Sequence, residues 1–317
     1  MQRELTLCAQ NMSTQGISIV RASAAKDHLM LRLIACIFIL SLATLPAAAA
    51  PVNYQGLWWA APAGSQAGWG VNLAHQGDII FATWFTYGPQ GNPRWYSMTA
   101  EKTPDGDYSG TLVRTSGSSY SSIPYDLDAF AVLPFTDSAT LKFDSPTSGT
   151  VTYQPGLTVI VQPITLQAFG PVPTCVWGAQ PDLSKATNYT DIWWASPPGS
   201  EAGWGVNLTH QGTTIFATWF TYAGTGEPVW FSATAPQTAP NTFSGALFKT
   251  TGPAWGTLPF DSSLISYTQV GTATFTFTDG NSATFTYNVN SQGGAGPSYQ
   301  VKSITRQVFR PPGTVCQ

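Results

Sequence analysis

The chain has 317 residues, of which only 9% are charged, a formal net charge of −3, and 12 tryptophans. An average soluble protein is about 25% charged, and so sparse and slightly acidic a balance excludes a basic surface for nucleic-acid phosphates. A hydrophobic share of 43% excludes a chain too polar to collapse, and 30 Gly with 24 Pro argue against long uninterrupted helices.

In chain order, the first element is the apolar run at 31–45, LRLIACIFILSLATL, followed by Pro46 and four alanines. A basic flank (Arg32), an apolar stretch and an A-x-A site define a secretory signal peptide. Ala47 and Ala49 take the −3 and −1 positions, so cleavage is expected after Ala49, and residues 1–49 are an N-terminal extension plus signal. Met30 stands where such a signal normally begins, so residues 1–29 are either an over-extended start or a long leading region. The run is shorter than the about 20 apolar residues of a membrane anchor. The lipoprotein-like Leu33-Ile34-Ala35-Cys36 lies inside the apolar run, where a lipoprotein box would end it. The expected location is therefore secreted or periplasmic, with no membrane span after cleavage.

Beyond the signal the chain repeats itself. NYQGLWWAAPAGSQAGWGVNLAHQG begins at Asn53, and NYTDIWWASPPGSEAGWGVNLTHQG begins at Asn188, ~135 residues later. About two-thirds of positions agree through the following ATWFTY segments, which marks a duplicated unit. Each unit exceeds the about 20–45 residues of a solenoid repeat and can bury its own core. Each also ends in a cysteine, Cys175 or Cys316. The expected organisation is residues 50–175 as the first β-barrel repeat, 176–187 as a linker, and 188–317 as the second repeat.

Within the first unit, period-2 alternation predicts strands at 56–60, 69–75, 79–87, 94–101, 107–114, 139–144, 149–154 and 159–169. Gln76-Gly77, Gly91-Asn92-Pro93, Pro104-Asp105-Gly106 and the Pro146–Gly149 stretch separate them as turns. The second unit repeats the count, with Asp279-Gly280-Asn281 as a hairpin turn. Eight sequence-adjacent antiparallel strands predict an all-β protein of two tandem up-and-down barrels, because closure removes open sheet edges. A pair of β-sandwiches is the alternative. Pro163, in the last strand of the first unit, calls for a bulge or an edge there. Ile79–Tyr87 is apolar on both faces, unlike a strand with one face in water. Its outer face is either covered by the other unit, in a contact using the same patch twice, or exposed as a binding patch.

Leu57-Trp58-Trp59, the Gly68–Leu73 string GWGVNL, His75-Gln76-Gly77 and Phe81–Tyr87 resemble a Trp-rich repeat of exported bacterial proteins, a largely uncharacterised family. The resemblance covers nearly all of the mature chain and implies an exported β domain without known chemistry. Gly56-Leu57-Trp58 opening an eight-strand meander also gives a looser likeness to avidin-type barrels, from which no biotin site follows.

The candidate chemistry is sparse. His75 and His210, the histidines of the mature chain, sit beside Gln and Gly at matching turns, where a strand-end hydrogen bond explains them. A zinc site needs three or four ligands, so no metal is expected. Paired carboxylates for glycoside hydrolysis are not repeated: Glu201 matches Gln66, Asp191 matches Gly56, and Asp126 and Asp128 occur only in the first unit. Gly64-Ser65 and Gly199-Ser200 lack the glycine of a nucleophile elbow, and Gly68-Trp69-Gly70 is not a phosphate loop. No catalytic residue and no cofactor are assigned.

The aromatics are the stronger functional signal. Trp58, Trp59, Trp69, Trp84 and Trp95 recur as Trp193, Trp194, Trp204, Trp219 and Trp230. Trp fills cores and also builds ligand platforms. These residues, with Asn72 and Asn207, form the candidate ligand-binding set, one site per unit at the barrel mouths. Alternation places Trp69 and Asn72 on opposite faces, so they cannot both point inward. Cys175 and Cys316 are expected to form a disulfide in an oxidising compartment, with free or externally paired thiols as the alternative. The expected function is an exported, non-catalytic binding module for carbohydrate or a small apolar or planar ligand. Two alternatives stand beside it: a structural or interaction protein of the envelope or exterior, and a hydrolase with one degenerate repeat.

Overall fold

The computed structural model describes residues 52–135, 137–154 and 158–317; the signal-peptide reading of 1–49 lies outside them. The first unit runs β1 (Gly56–Ala60), β2 (Gly70–Gln76), β3 (Ile79–Tyr87), β4 (Pro93–Lys102), β5 (Tyr108–Ser116), β6 (Ala131–Leu133), β7 (Ser138–Ser145), β8 (Ser148–Tyr153) and β9 (Ile160–Leu166). Strands β1 to β5 and β7 to β9 pair in sequence, and β1 pairs with β9 to close the ring. The short β6 adds to β5 outside that ring; it falls in a stretch where the sequence has no alternation to announce it.

After β10 (Cys175–Trp177), the second unit repeats the pattern as β11 (Asp191–Ala195), β12 (Gly205–Gln211), β13 (Thr214–Tyr222), β14 (Pro228–Ala239), β15 (Thr242–Thr251), β16 (Ser266–Asp279), β17 (Ser282–Val289) and β18 (Ser298–Arg306), a closed barrel. β19 (Thr314–Cys316) ends it and pairs with β10, bringing Cys175 opposite Cys316, which are disulfide-bonded. The fold is two closed eight-stranded antiparallel barrels, and the sandwich alternative falls away. The segment read as a linker contributes most of β10 and a 3-10 turn, Leu183–Lys185, whose leucine is buried.

Alternation explains the interiors. On β2, Val71 and Leu73 point into the first core, which also holds Trp58, Trp84, Met98, Leu112 and Val151. The equivalent Trp193, Val206, Leu208 and Trp219 pack in the second core. Pro163 causes no register shift. It sits just past the end of the β1–β9 ladder, where its carbonyl accepts from Ala61 and its missing N–H is not needed. The tight β2–β3 and β12–β13 turns need a positive φ at their first central residue, met by Gly77 (φ 65) and Gly212 (φ 62).

Every residue of β2 and β12 is buried, although only alternate side chains face a core. The others meet between the barrels, where Phe85, Tyr87, Trp95, Phe220, Tyr222 and Trp230 form a third cluster.

Candidate functional site

Each barrel has an end bearing the tight β2–β3-type turns and an end bearing the longer loops. At the turn end of the first barrel, Tyr54 stacks on Phe143 with ring centroids 3.7 Å apart and lies parallel to the His75 ring, with Tyr108 edge-on to it. Tyr189, Phe277 and His210 repeat this. His75 Nδ1 accepts the Tyr54 backbone N–H at 3.0 Å, so in the neutral ring Nε2 carries the proton and donates it to the Gly77 carbonyl at 2.9 Å. Burial lowers the His75 pKa to about 4 and lowers that of His210 as well. Both rings are neutral pins for their strand ends. Among the described residues no group of three or more His, Cys, Asp or Glu could hold a metal.

The barrel mouths are filled in trans. Tyr120, from the β5–β6 loop of the first unit, lies in the core of the second barrel against Trp219 and Phe231. Its carbonyl accepts from Tyr287 Oη at 2.6 Å and Gln300 Nε2 at 2.8 Å. At the matching position of the second unit, Trp255 packs into the first barrel against Trp84, Tyr96 and Tyr153. The loops are anchored by equivalent bonds, Tyr120 N–H to the Tyr222 carbonyl at 3.0 Å and Trp255 N–H to the Tyr87 carbonyl at 2.9 Å. A cavity of only about 20 Å³ remains beside Trp255.

Between the barrels the polar contacts come in matched pairs. Trp95 Nε1 donates to the Thr221 carbonyl and Trp230 Nε1 to the Thr86 carbonyl, both at 2.9 Å. Tyr222 Oη meets Thr115 Oγ1 at 2.8 Å, and Tyr87 Oη, which donates its hydrogen to the Gly68 carbonyl, meets Thr250 Oγ1 at 3.2 Å. Gln76 Oε1 accepts the N–H groups of Phe309 and Arg310 while its amide donates to the Gln307 carbonyl. Gln211 treats Phe169, Gly170 and Gln167 in the same way. In the His-Gln-Gly motif, histidine serves its own barrel and glutamine clasps the tail of the other. Asn72 Nδ2 donates to Thr218 Oγ1 at 2.7 Å; the matching Asn207 Nδ2 and Thr83 Oγ1 are buried without partners.

A buried ion pair also breaks the symmetry. Asp191 and Arg306 form a buried ion pair at 3.0 Å, where the first unit has Gly56 beside Leu166. Burial raises the Asp191 pKa, opposed by the Arg306 guanidinium. Arg306 also donates to the Gly280, Thr190 and Asn188 carbonyls. Glu201 binds Trp204 Nε1 and Lys302, whereas Asp126 and Asp128 lie exposed in a short turn.

The candidate tryptophans therefore separate into four places. Trp58, Trp84, Trp193 and Trp219 are inside barrels. Trp95 and Trp230 sit between barrels. Trp69 and Trp204 rest against their cores with Nε1 held by Gln66 and Glu201. Trp59 and Trp194 are half-buried, with indole N–H groups that have no partner. Of these, Trp59, Trp69 and Trp230 come together in a groove of about 420 Å³ walled by both barrels. Phe85, Phe216, Phe248 and Tyr267 complete its aromatic lining, and Gln167, Thr218, Ser232, Thr234 and Thr250 supply its polar side chains. Phe248 and Tyr267 have no counterpart aromatic in the first unit (Val113 and Val132), so the repeat gave no signal for them.

No protein-family model matches the chain, nor does any curated protein or solved structure. No helix among the described residues is long and apolar enough to cross a membrane.

Proposed function

We propose that this protein is an exported, non-catalytic binding module of the Trp-rich repeat type, and that its ligand is a small, flat, mainly apolar molecule held between the two barrels. The observation that carries this reading is the groove of about 420 Å³ lined by Trp59, Trp69, Phe85, Trp230 and Phe248. Ligand sites are typically concave, about 300–1,000 Å³, and mostly apolar with a few placed polar groups. Thr218, Ser232 and Thr234 are such groups here. The barrel mouths are poorer candidates, because Tyr120 and Trp255 occupy them. Export is supported by the signal sequence and by the Cys175–Cys316 disulfide, a bond favoured in oxidising compartments.

The test is calorimetric titration of the full chain with a panel of planar aromatic and apolar compounds, set beside Thr234→Phe. Thr234 is exposed and lines the groove, so the added ring fills the site without entering a core. Binding by the native protein that is lost in Thr234→Phe supports the reading. Absence of binding across the panel, or binding indifferent to that substitution, favours a structural or interaction role for the paired barrels.

A further inference from the structure

A second cavity, of about 320 Å³, lies at the turn end of the first barrel, away from the groove. Its lining includes His75, Asp78, Lys102, Tyr108 and Trp177. Three of these are chemically distinct from their partners in the other repeat: Tyr108 stands where the second unit has Phe243, Asp78 where it has Thr213, and Lys102 where it has Gln237. The three differences fall on one cavity, and each puts a stronger hydrogen-bonding group in the first unit.

The local chemistry fixes what Tyr108 offers. Its Oη lies 3.0 Å from His75 Nε2. Because Nδ1 of that ring accepts the Tyr54 N–H, Nε2 is the protonated nitrogen; its hydrogen is shared between the Gly77 carbonyl and Tyr108 Oη, and Tyr108 has no lone pair on that nitrogen to donate to. The phenol hydrogen is therefore not spent on the histidine. A phenol here stays un-ionised, since burial pushes its pKa up to about 12. The cavity thus presents two donors, the Tyr108 hydroxyl and the Lys102 ammonium, and one strong acceptor, the Asp78 carboxylate. Asp78 and Lys102 offset each other in charge. Trp177 adds a partly exposed indole wall (39% exposed), with its Nε1 engaged by the Arg310 carbonyl and the Arg310 guanidinium 5.8 Å from the ring centroid.

We propose that this cavity is a separate site for a single neutral pyranose ring. Sugar hydroxyls donate and accept at once, which suits a mixed set of donors and acceptors. The C–H face of the ring suits an indole wall, and a neutral ligand suits a lining in which Asp78 offsets Lys102 and the nearby Arg310 is held over the Trp177 ring. The inference does not depend on the ligand of the groove.

The test is titration of the full chain with a panel of methyl pyranosides, read by calorimetry and by ligand-observed NMR. The variants are Tyr108→Phe and the triple variant Asp78→Thr, Lys102→Gln, Tyr108→Phe. The triple variant carries the second repeat's own residues at these positions, so the fold tolerates them, and an unchanged thermal transition checks this. Loss of one hydrogen bond in Tyr108→Phe should weaken binding by about five-fold, and the triple variant by more than about ten-fold. Thr234→Phe should leave pyranoside binding unchanged. The proposal is overturned if no pyranoside binds, if the triple variant binds as well as the native chain, or if Thr234→Phe is the substitution that abolishes binding.

Discussion

Trp95 and Trp230 make the same hydrogen bond in opposite directions, each indole N–H reaching 2.9 Å to a carbonyl of the other barrel's third strand, Thr221 or Thr86. The bond sits inside the aromatic cluster between the barrels, so a lost partner there is not replaced by water. Replacing either Trp by Phe keeps a ring but removes the donor, and should cost about 1–3 kcal/mol because a buried carbonyl is left unpaired. Replacement by Ala should cost about 3–5 kcal/mol through the cavity it leaves. Urea unfolding of the four variants measures this, and similar values for the two positions are expected from the matched geometry.

The glutamine clasps make a second prediction. Gln76 and Gln211 each hold three backbone groups of the other unit's closing segment. Gln76→Ala should raise amide hydrogen exchange around 307–310, and Gln211→Ala around 167–170. Each should do so in the unit that was not mutated, which distinguishes a clasp from a local turn contact.

Stability should fall with acid. His75 has a pKa of about 4 in the folded chain, against about 6.5 when unfolded, and His210 is shifted the same way. Between these values the unfolded chain binds more protons, so stability rises with pH. The contribution is fully present above about pH 6.5 and is lost as pH falls towards 4. For His75 alone it is on the order of 3 kcal/mol. The raised Asp191 pKa opposes this between about pH 4 and 6, so the histidine contribution is read by comparing denaturant midpoints, from neutral pH down to about pH 4.5, of the native chain and His75→Phe; equal slopes in the two would contradict a neutral, buried ring.

The Asp191–Arg306 pair invites an exchange with its counterpart. Arg306→Leu alone strands a buried carboxylate and should destabilise by about 3–5 kcal/mol. Adding Asp191→Gly rebuilds the Gly56–Leu166 pair of the first unit and should recover much of that loss. Thermal unfolding of the two single variants and the double variant gives the coupling.

Much of this architecture was legible in the sequence. Alternation like that of Thr272–Thr278 placed the eight ring strands of the first barrel and the repeat carried the same count to the second, because one face of each strand meets a core and a period of two follows directly. The two-sided apolarity of Ile79–Tyr87 flagged a strand whose outer face needs an explanation, and Phe85 and Tyr87 sit in the cluster between barrels. Tyr120 was illegible because it lies in an irregular loop without periodicity, and nothing local tells such an aromatic which barrel it enters. Arg306 was illegible for another reason: its partner Asp191 is 115 residues away, and only ring closure brings β11 and β18 together. The candidate site was half legible. Trp59, Trp69 and Trp230 were in the candidate set, but their meeting in one groove depends on how two barrels face each other, and no strand pattern encodes that.

The most direct test follows the tryptophan indole N–H signals by NMR during titration with a planar apolar ligand that binds the full chain. The indoles of Trp59, Trp69 and Trp230 should shift together, with a single affinity, while Trp58 and Trp193, sealed inside the barrels, stay fixed. Shifts centred instead on Trp84 and Trp219, beside the plugged mouths, or no indole shift at all, would contradict a ligand site between the barrels.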